Sequence, residues 1–454
     1  MQTLNGKRVL VIGLGVSGRS AVRFLLRRGA SVHAVDGNRD LLQNNLEVRE
    51  LIGLGVDLAH DLDAIDITVF DLVVVSPGIP HVHPLYSRAQ AEGIEVIGEV
   101  ELACRFLKGT FLGITGTNGK TTVTLLVEHV LNNSGIPARA LGNSGVPLTY
   151  ENADDIISGK AVNSVIVAEL SSFQLETMHS PIIDAAVLLN ITPDHLDRYH
   201  SMDEYALSKW HIADCLKSHG VFYAEQNCWQ EFGHLLKAKN IKLKTKIYGY
   251  TSECDLSTDL FHLITNKKIE CVLPSRYQAK ISHDLENIMA AFALCHYVGV
   301  TSEQFFAALA TFKKPAHRIE FVRKHNEVSY FDDSKGTNID AVIRAVSAMQ
   351  GDIILIAGGV DKGAAYTPWI EVFANRVKMI CAIGQAAQKI KQDLAHAVPV
   401  ELFRSLDDAV DHAARLAEPG DNVLLSPGCS SFDMFRDYAH RGEEFQRIVK
   451  QLGI

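Results

Sequence analysis

The chain reads as an α/β protein built from three consecutive sheet blocks. The first is Rossmann-like. The second is mostly parallel, carries a P-loop-type turn and includes a small antiparallel sheet. The third is again Rossmann-like. Three observations predict this. Short β-branched apolar runs alternate with longer helical patterns. Two glycine-rich turns each follow an apolar run and open a helix. The 454 residues suffice for three domains at roughly 150 residues each.

In the first block, Arg8–Ile12 is a compact apolar strand, residues 17–28 carry a helical pattern, and Ser31–Val35 and Leu72–Val75 are further strands. A strand near 95–97 closes it. The second block opens with strand Thr110–Thr115 and a helix over 120–134, followed by strands at 164–169, 185–190 and 220–223. Residues 226–275 are less regular and are predicted to form short antiparallel strands, with a helix at 286–298 after them. The Phe312-Lys-Lys-Pro315 stretch reads as a linker, with Pro as the breaker. Beyond it come strands Val328–Asp332, 352–357, 378–383 and Asn422–Leu425, with helices between. The predicted domains are 1–98, 99–313 and 314–454.

Composition narrows the function. Lys plus Arg number 44 against 53 Asp plus Glu, a formal charge of −9, so no broad basic field exists for nucleic acid. Hydrophobic residues at 47% exclude a mainly disordered chain. No run of 18 apolar residues is present, so no membrane span is predicted, and the apolar start lacks the build of a signal peptide. The 8 cysteines are scattered without a CxxC pair, which fits reduced thiols in a cytoplasmic protein.

Chemistry concentrates where strands end. Gly13-Leu-Gly15-Val16-Ser17-Gly18 sits between a strand and a helix, and the next strand ends in Asp36. Glycines there let the backbone approach a diphosphate at a helix N-terminus. Taken alone, this turn suggests NAD, or else a turn that needs glycine only for packing. Gly116-Thr117-Asn118-Gly119-Lys120-Thr121-Thr122 has the parts of a P-loop, although the strict spacing would want Gly at position 114, where Ile114 stands. Lys120 can neutralise β/γ-phosphates and the Thr121 hydroxyl can reach Mg²⁺. A dehydrogenase explains the first turn and a simple ATPase the second. A ligase that uses ATP to activate a nucleotide-linked acid explains both.

The P-loop run, together with Glu169-Leu-Ser-Ser-Phe-Gln-Leu-Glu176, Asn190-Ile-Thr-Pro-Asp-His195-Leu-Asp197, Asp333-Ser-Lys335-Gly-Thr337-Asn338 and Ser426-Pro-Gly-Cys-Ser-Ser431-Phe-Asp433, resembles the Mur ligases of peptidoglycan synthesis. Within that family it is similar to the D-glutamate-adding branch, in order and over essentially the whole chain. The resemblance implies a UDP-binding first domain, a central ATPase and a third domain that receives the amino acid. It implies a monomer that takes ATP, Mg²⁺, UDP-N-acetylmuramoyl-L-alanine and D-glutamate. ATP would phosphorylate a carboxylate, and an amine would attack the acyl phosphate through a tetrahedral intermediate.

By the same resemblance, Lys120, His195, Lys209 and Lys335 are catalytic. ATP would be held by 116–122 with Asn287, Arg318 and Asp333. The UDP substrate would meet Gly15, Val16, Ser17, Asp36, Ser76, Pro77, Gly78, Asn143 and His195. D-Glutamate would meet Thr337, Lys362, Ser431, Phe432 and Tyr438. Metal would fall to Thr121, Glu169, His195 and, if carbamylated, Lys209. Read without the resemblance, Lys209 is a solvated helix lysine, Lys362 a surface lysine and Asn143 a turn residue. Which group accepts the proton of the incoming amine, His195 or a nearby carboxylate, stays open. Two departures stand out. Asp36-Gly37-Asn38-Arg39 replaces the family's usual Asp-Thr-Arg, and Ile281-Ser-His283-Asp284 replaces Gly-x-His-Asn. Rival readings are a sister ligase or folylpolyglutamate synthetase-type enzyme, an NAD-dependent oxidoreductase, and a nucleotide-binding regulatory module. The linker at 313–316 is the expected hinge for closing the third domain.

Overall fold

A computed structural model describes residues 4–60, 62–143, 145–150, 164–238, 244–275 and 283–453. By contact, Met1–Asn190 with Ala206–Phe312 forms one compact unit, and Ile191–Tyr205 with Lys313–Ile454 forms a second. Three sheets carry the fold.

The first sheet contains β1 (Arg8–Ile12), β2 (Ser31–Val35), β3 (Asp57–Ala59), β4 (Leu72–Val75) and β5 (Val96–Gly98) in the order β3-β2-β1-β4-β5. All its pairings are parallel. The order reverses between β1 and β4, which leaves a crevice at their carboxyl ends, the usual ligand position in such sheets. Helix Val16–Arg27 packs on the sheet through buried Ala21, Val22, Phe24 and Leu25. It begins at Val16 and ends before Arg28, one position earlier at each end than the pattern suggested.

The second sheet comprises β6 (Thr110–Thr115), β7 (Ala138–Gly142), β8 (Val165–Glu169), β9 (Ile183–Leu188), β10 (Leu216–Glu225), β11 (Lys244–Gly249), β12 (Leu256–Thr258), β13 (His262–Thr265) and β14 (Lys268–Val272). Its order is β14-β13-β12-β11-β10-β9-β6-β8-β7. From β7 to β12 the pairing is parallel, and β13 and β14 extend the same sheet antiparallel. Residues 226–238 are not strands. They form helix Gln226–Ala238, which buries Cys228, Phe232 and Leu236 while Gln230 and His234, which would share their face in a strand, are exposed. Helix Lys120–Asn133 and helix His283–Tyr297 lie on this sheet and share its apolar core. The helical pattern at 202–215 resolves into helix Met202–Trp210 and a short 3₁₀ turn, His211–Ala213.

The third sheet comprises β15 (Glu320–His325), β16 (Val328–Asp332), β17 (Ile353–Gly358), β18 (Val377–Ile383), β19 (Val400–Leu402) and β20 (Asn422–Leu425) in the order β15-β16-β20-β17-β18-β19. Only β15, at the edge, is antiparallel to its neighbour. β20 is inserted between β16 and β17, so the carboxyl ends of these three strands adjoin. Apolar cores cover both faces of the sheet, as a parallel sheet requires. All eight cysteines are free. Among the described residues no helix is long and apolar enough to cross a membrane. Ser144, 239–243, Ile281 and Ser282 lie outside the described residues.

Candidate active site

The first glycine turn lies at the carboxyl end of β1, and Ser76-Pro77-Gly78 lies at the end of β4, so the two flank the crevice. They are bonded directly: Ser76 Oγ donates to Gly13 O at 2.8 Å. The helix must start hard against this turn. A Cβ on Gly18 would lie 1.8 Å from the Gly13 carbonyl oxygen, so no other residue fits. Gly15 faces open space, which leaves room for a ligand to reach the backbone. Val16 is exposed at the first helical turn beside Ser17.

Asp36 does not present a free carboxylate. One oxygen accepts the Leu14 N–H at 2.7 Å and the other the Asn38 N–H at 2.8 Å. Its structural work is to hold the glycine turn against the end of β2. The departure at Gly37-Asn38-Arg39 has a local explanation. Asn38 caps helix Arg39–Asn44, its side chain accepting the Leu41 N–H at 3.2 Å. Arg39 is exposed in the first turn of that helix.

β6 ends at Thr115, and residues 116–119 make the second turn before helix Lys120–Asn133. Ile114 is a fully buried strand residue paired with Val187, which explains why the turn lacks a glycine there. Gly119 is left-handed at φ +88°, and a Cβ on it would meet the Asn287 side-chain oxygen at 2.4 Å. Asn287, on helix His283–Tyr297, therefore stands directly over the turn. Lys120 Nζ donates to Gly116 O and Thr117 O, both at 2.8 Å. Lys209 is 2% exposed, and its Nζ donates to the same Gly116 O at 3.0 Å. Two ammonium groups thus converge on one carbonyl oxygen in a buried place, an arrangement that favours an anion nearby.

A residue to which sequence reasoning gave no role also shapes this turn. Asn190 accepts from Thr117 N–H through its carbonyl at 2.8 Å and from Asn118 N–H through its side chain at 2.8 Å. Its amide donates back to Asn118 O at 3.0 Å. It opens the Asn190–Asp197 motif, and that position was the available signal.

Glu169 ends β8 and is 2% exposed. Oε1 accepts from Asn143 Nδ2 at 2.9 Å, and Oε2 is buried with no hydrogen-bond partner. An orphaned carboxylate oxygen is costly to bury. It and the buried hydroxyl of Thr121, in the first turn of helix Lys120–Asn133, are oxygen donors of the kind a hard cation would take. Asn143 is held by its N–H to Glu169 O at 2.9 Å as well. Thr122 follows in the helix. His283 pairs with Glu286 at 2.8 Å, and Asp284 lies in the first helical turn, where a carboxylate suits the helix dipole.

In the second unit, the segment with His195 meets the loops after β16 and β17. Asp194 Oδ1 accepts from Lys362 Nζ at 2.9 Å, and Oδ2 from Asn338 Nδ2 at 3.3 Å. Burial pushes the Asp194 carboxyl up, but the charges of Lys362 and His195 outweigh it, leaving the carboxyl below its ordinary value. His195 sits in the left-handed region at φ +55°, a strained setting for a non-glycine residue.

β16 leads into Asp333, Lys335 and Thr337. Asp333 is fully buried. Its Oδ2 accepts from Ser426 Oγ at 2.7 Å and its Oδ1 from Ile319 N–H at 3.3 Å. Burial raises its carboxyl to about 7, against the pull of Ser426 and Arg318. Arg318 Nε is buried without a partner, an unused donor facing inward. Lys335 Nζ lies 4.9 Å from the Tyr438 ring centroid. Ser431 is buried after β20, while Phe432 next to it is 74% exposed.

The Mur ligase middle domain model matches residues 114–295, the Mur ligase MurD-like N-terminal domain model 7–98, and the Mur ligase glutamate ligase domain model 317–429. A UDP-N-acetylmuramoylalanine–D-glutamate ligase of Protochlamydia amoebophila is 50% identical over 447 residues, covering 98% of each chain. One from Solibacter usitatus is 38% identical, covering 99% of each. Among solved structures, UDP-N-acetylmuramate–alanine ligase of Thermotoga maritima has a TM-score of 0.60 at 15% identity, covering 98% of this chain and 99% of that one. The MurF ligase of the same organism, in complex with ADP, has a TM-score of 0.60 at 16% identity, covering 99% and 96%. The structural likenesses establish the fold, and the sequence matches over nearly the whole chain establish the rest: the protein belongs to the Mur ligase family, among the UDP-N-acetylmuramoylalanine–D-glutamate ligases.

Proposed function

We infer that the protein adds D-glutamate to UDP-N-acetylmuramoyl-L-alanine at the expense of ATP. The observation that carries the reading is the convergence of Lys120 and Lys209 on Gly116 O, a cationic, buried turn beside the orphaned oxygen of Glu169. That setting is built for a polyphosphate whose charge must be offset while its terminal group moves.

Each residue then has a task. The 116–122 turn offers backbone N–H groups to phosphate, and Lys120 swings from its carbonyl partners onto the γ-phosphate. Asn287 lies against the turn on the nucleotide side. Thr121 and Glu169 would hold a Mg²⁺, and His195 with carbamylated Lys209 are the candidates for a second. Bound metal offsets phosphate charge in such reactions. A carbamate on Lys209 would turn one of two crowded cations into an anion. Gly15, Val16, Ser17 and Ser76-Pro77-Gly78 border the crevice for the UDP diphosphate, and Asp36 shapes that crevice through its backbone bonds. Asn143, held on Glu169, would orient the acyl end.

The carboxylate of the UDP substrate attacks the γ-phosphorus, and ADP leaves. The neutral amine of D-glutamate then attacks the acyl carbon, the tetrahedral adduct collapses, and inorganic phosphate departs with the C–O bond electrons. Arg318 and Lys335 are suited to the phosphate. Thr337, Lys362, Ser431, Phe432 and Tyr438 are assigned to the two carboxylates of D-glutamate, which need cations and hydroxyl or N–H donors. The domains 1–98, 99–313 and 314–454 divide this work as UDP-substrate, ATP and amino-acid domains. A panel of labelled amino acids, each supplied with ATP and UDP-N-acetylmuramoyl-L-alanine, tests the reading. D-Glutamate should be incorporated and L-glutamate, L-alanine and diaminopimelate should not; incorporation of another member of the panel instead would overturn it.

A further inference from the structure

The loops after β16 and β20 are joined by Gly428 N–H to Gly336 O at 2.8 Å and by Ser426 Oγ to Asp333. A third tie comes from outside both loops. Arg441, in helix Tyr438–Gln451, is 1% exposed. Its Nε donates to Ser334 Oγ at 3.0 Å and its Nη2 to Ser334 O at 2.9 Å. Nη1 and Nη2 both donate to Cys429 O at 3.2 Å. Every acceptor in this set is neutral, and the carboxylates of Asp433, Asp332 and Asp333 act on the guanidinium only through space. Burying a cation on carbonyls and a hydroxyl is expensive, and burial pushes the guanidinium down to about 10 against the pull of those carboxylates.

A role in stability alone is a poor account of such a residue, since an apolar side chain of similar size would avoid that cost. What the guanidinium offers instead is geometry. A planar fork of donors can hold two loops at fixed separation, whereas a lysine presents one point charge. The helix is itself anchored at this place. Asp437 caps it through the His440 N–H at 2.8 Å, and the Tyr438 carbonyl accepts from Ser334 Oγ at 2.7 Å. Lys335 follows Ser334 directly, and Ser431 is two residues past Cys429.

We propose that Arg441 is a positioning residue of the ligation step, its fork fixing the Lys335 loop against the Ser431 loop and so setting the D-glutamate subsite. The proposal rests on the reading that these loops receive phosphate and D-glutamate. It predicts a selective defect, because the 116–122 turn and Asn287 belong to the other compact unit, and Asp333, assigned to ATP in this one, is held by Ser426 Oγ and Ile319 N–H and not by Arg441.

Steady-state kinetics of full-length Arg441→Lys, with thermal melting in parallel, tests it. The KM for D-glutamate should rise at least about tenfold and kcat should fall, while the KM for ATP stays within about threefold. Ser334→Ala, which removes one acceptor and keeps the charge, should give the same selective rise at smaller size, about threefold, and guards against a lysine variant that fails to fold. An unchanged KM for D-glutamate in either folded variant, or equal rises for D-glutamate and ATP, would overturn the proposal. If wild-type enzyme forms no ADP in response to D-glutamate, the functional reading itself fails, a result separable from any behaviour of the variants.

Discussion

Lys362 and Asp194 form an ion pair at 2.9 Å, with side chains 14% and 8% exposed, between residues 168 positions apart. The pair fastens the segment with His195 to the loop after β17. Lys362 alone reads as a surface lysine, and its partner could not be read from sequence because only the tertiary fold brings them together.

The pair predicts non-additivity. Asp194→Asn and Lys362→Met each leave a partner buried and unmatched, so each should cost about 3 kcal/mol of unfolding free energy. The double variant should cost less than the sum by at least about 1 kcal/mol. Urea denaturation of the three variants measures this, and strict additivity would show that the pair contributes nothing.

Glu99 gives a pH prediction. Oε1 accepts from Thr149 N–H at 2.6 Å and Thr149 Oγ at 2.7 Å, while Oε2 is buried with no partner. Burial raises the carboxyl to about 7, against about 4.3 in an unfolded chain. The folded protein therefore holds this proton more tightly than the unfolded one. The contribution to stability is full below the unfolded value and is lost as pH rises through about 7. Glu99→Gln cannot ionise, so its stability relative to wild type should improve by about 1–2 kcal/mol between pH 5.5 and pH 8. A constant difference across that range would refute the assignment.

Lys209 supplies a third. As an ammonium it shares Gly116 O with Lys120; as a carbamate it would carry the opposite charge. Lys209→Ala should lose at least about a hundredfold in kcat, and short carboxylates such as acetate or formate should restore part of it, since electrostatic groups of this kind supply roughly that factor. Full activity in the variant would exclude the role.

Much of the fold was legible because the parallel strands are buried on both faces and read as unbroken apolar runs, as in Leu72–Val75 and, within β20, Val423 to Leu425. What escaped had a weaker signature. β15 is an edge strand with charged Arg323 and Lys324, and such edges resist the apolar pattern. β3 and β19 span three residues each, too few for a period to show. Helix Gln226–Ala238 reads as strand in the sequence because its apolar positions, Cys228, Phe232 and Leu236, fall at an even spacing that a strand face shares. In the site, motif residues were legible and their supports were not. Lys120 and Glu169 announce themselves in short runs, whereas the side chains of Asn190 and Arg441 bond mostly to backbone atoms of loops far away in sequence, partners that the sequence does not display.

The central claim is that a cationic turn passes the terminal phosphate of ATP to a substrate carboxylate that D-glutamate then claims. Its most direct test is the rate of ADP formation with ATP, UDP-N-acetylmuramoyl-L-alanine and D-glutamate together, in wild type and in Lys120→Met. Wild type should sustain ADP formation over many turnovers only in the complete mixture, because without D-glutamate no amine consumes the acyl phosphate, and the variant should be slower by at least about a thousandfold, the scale of losing a principal charge at a phosphoryl transfer site. Equal rates in the two proteins would contradict the account.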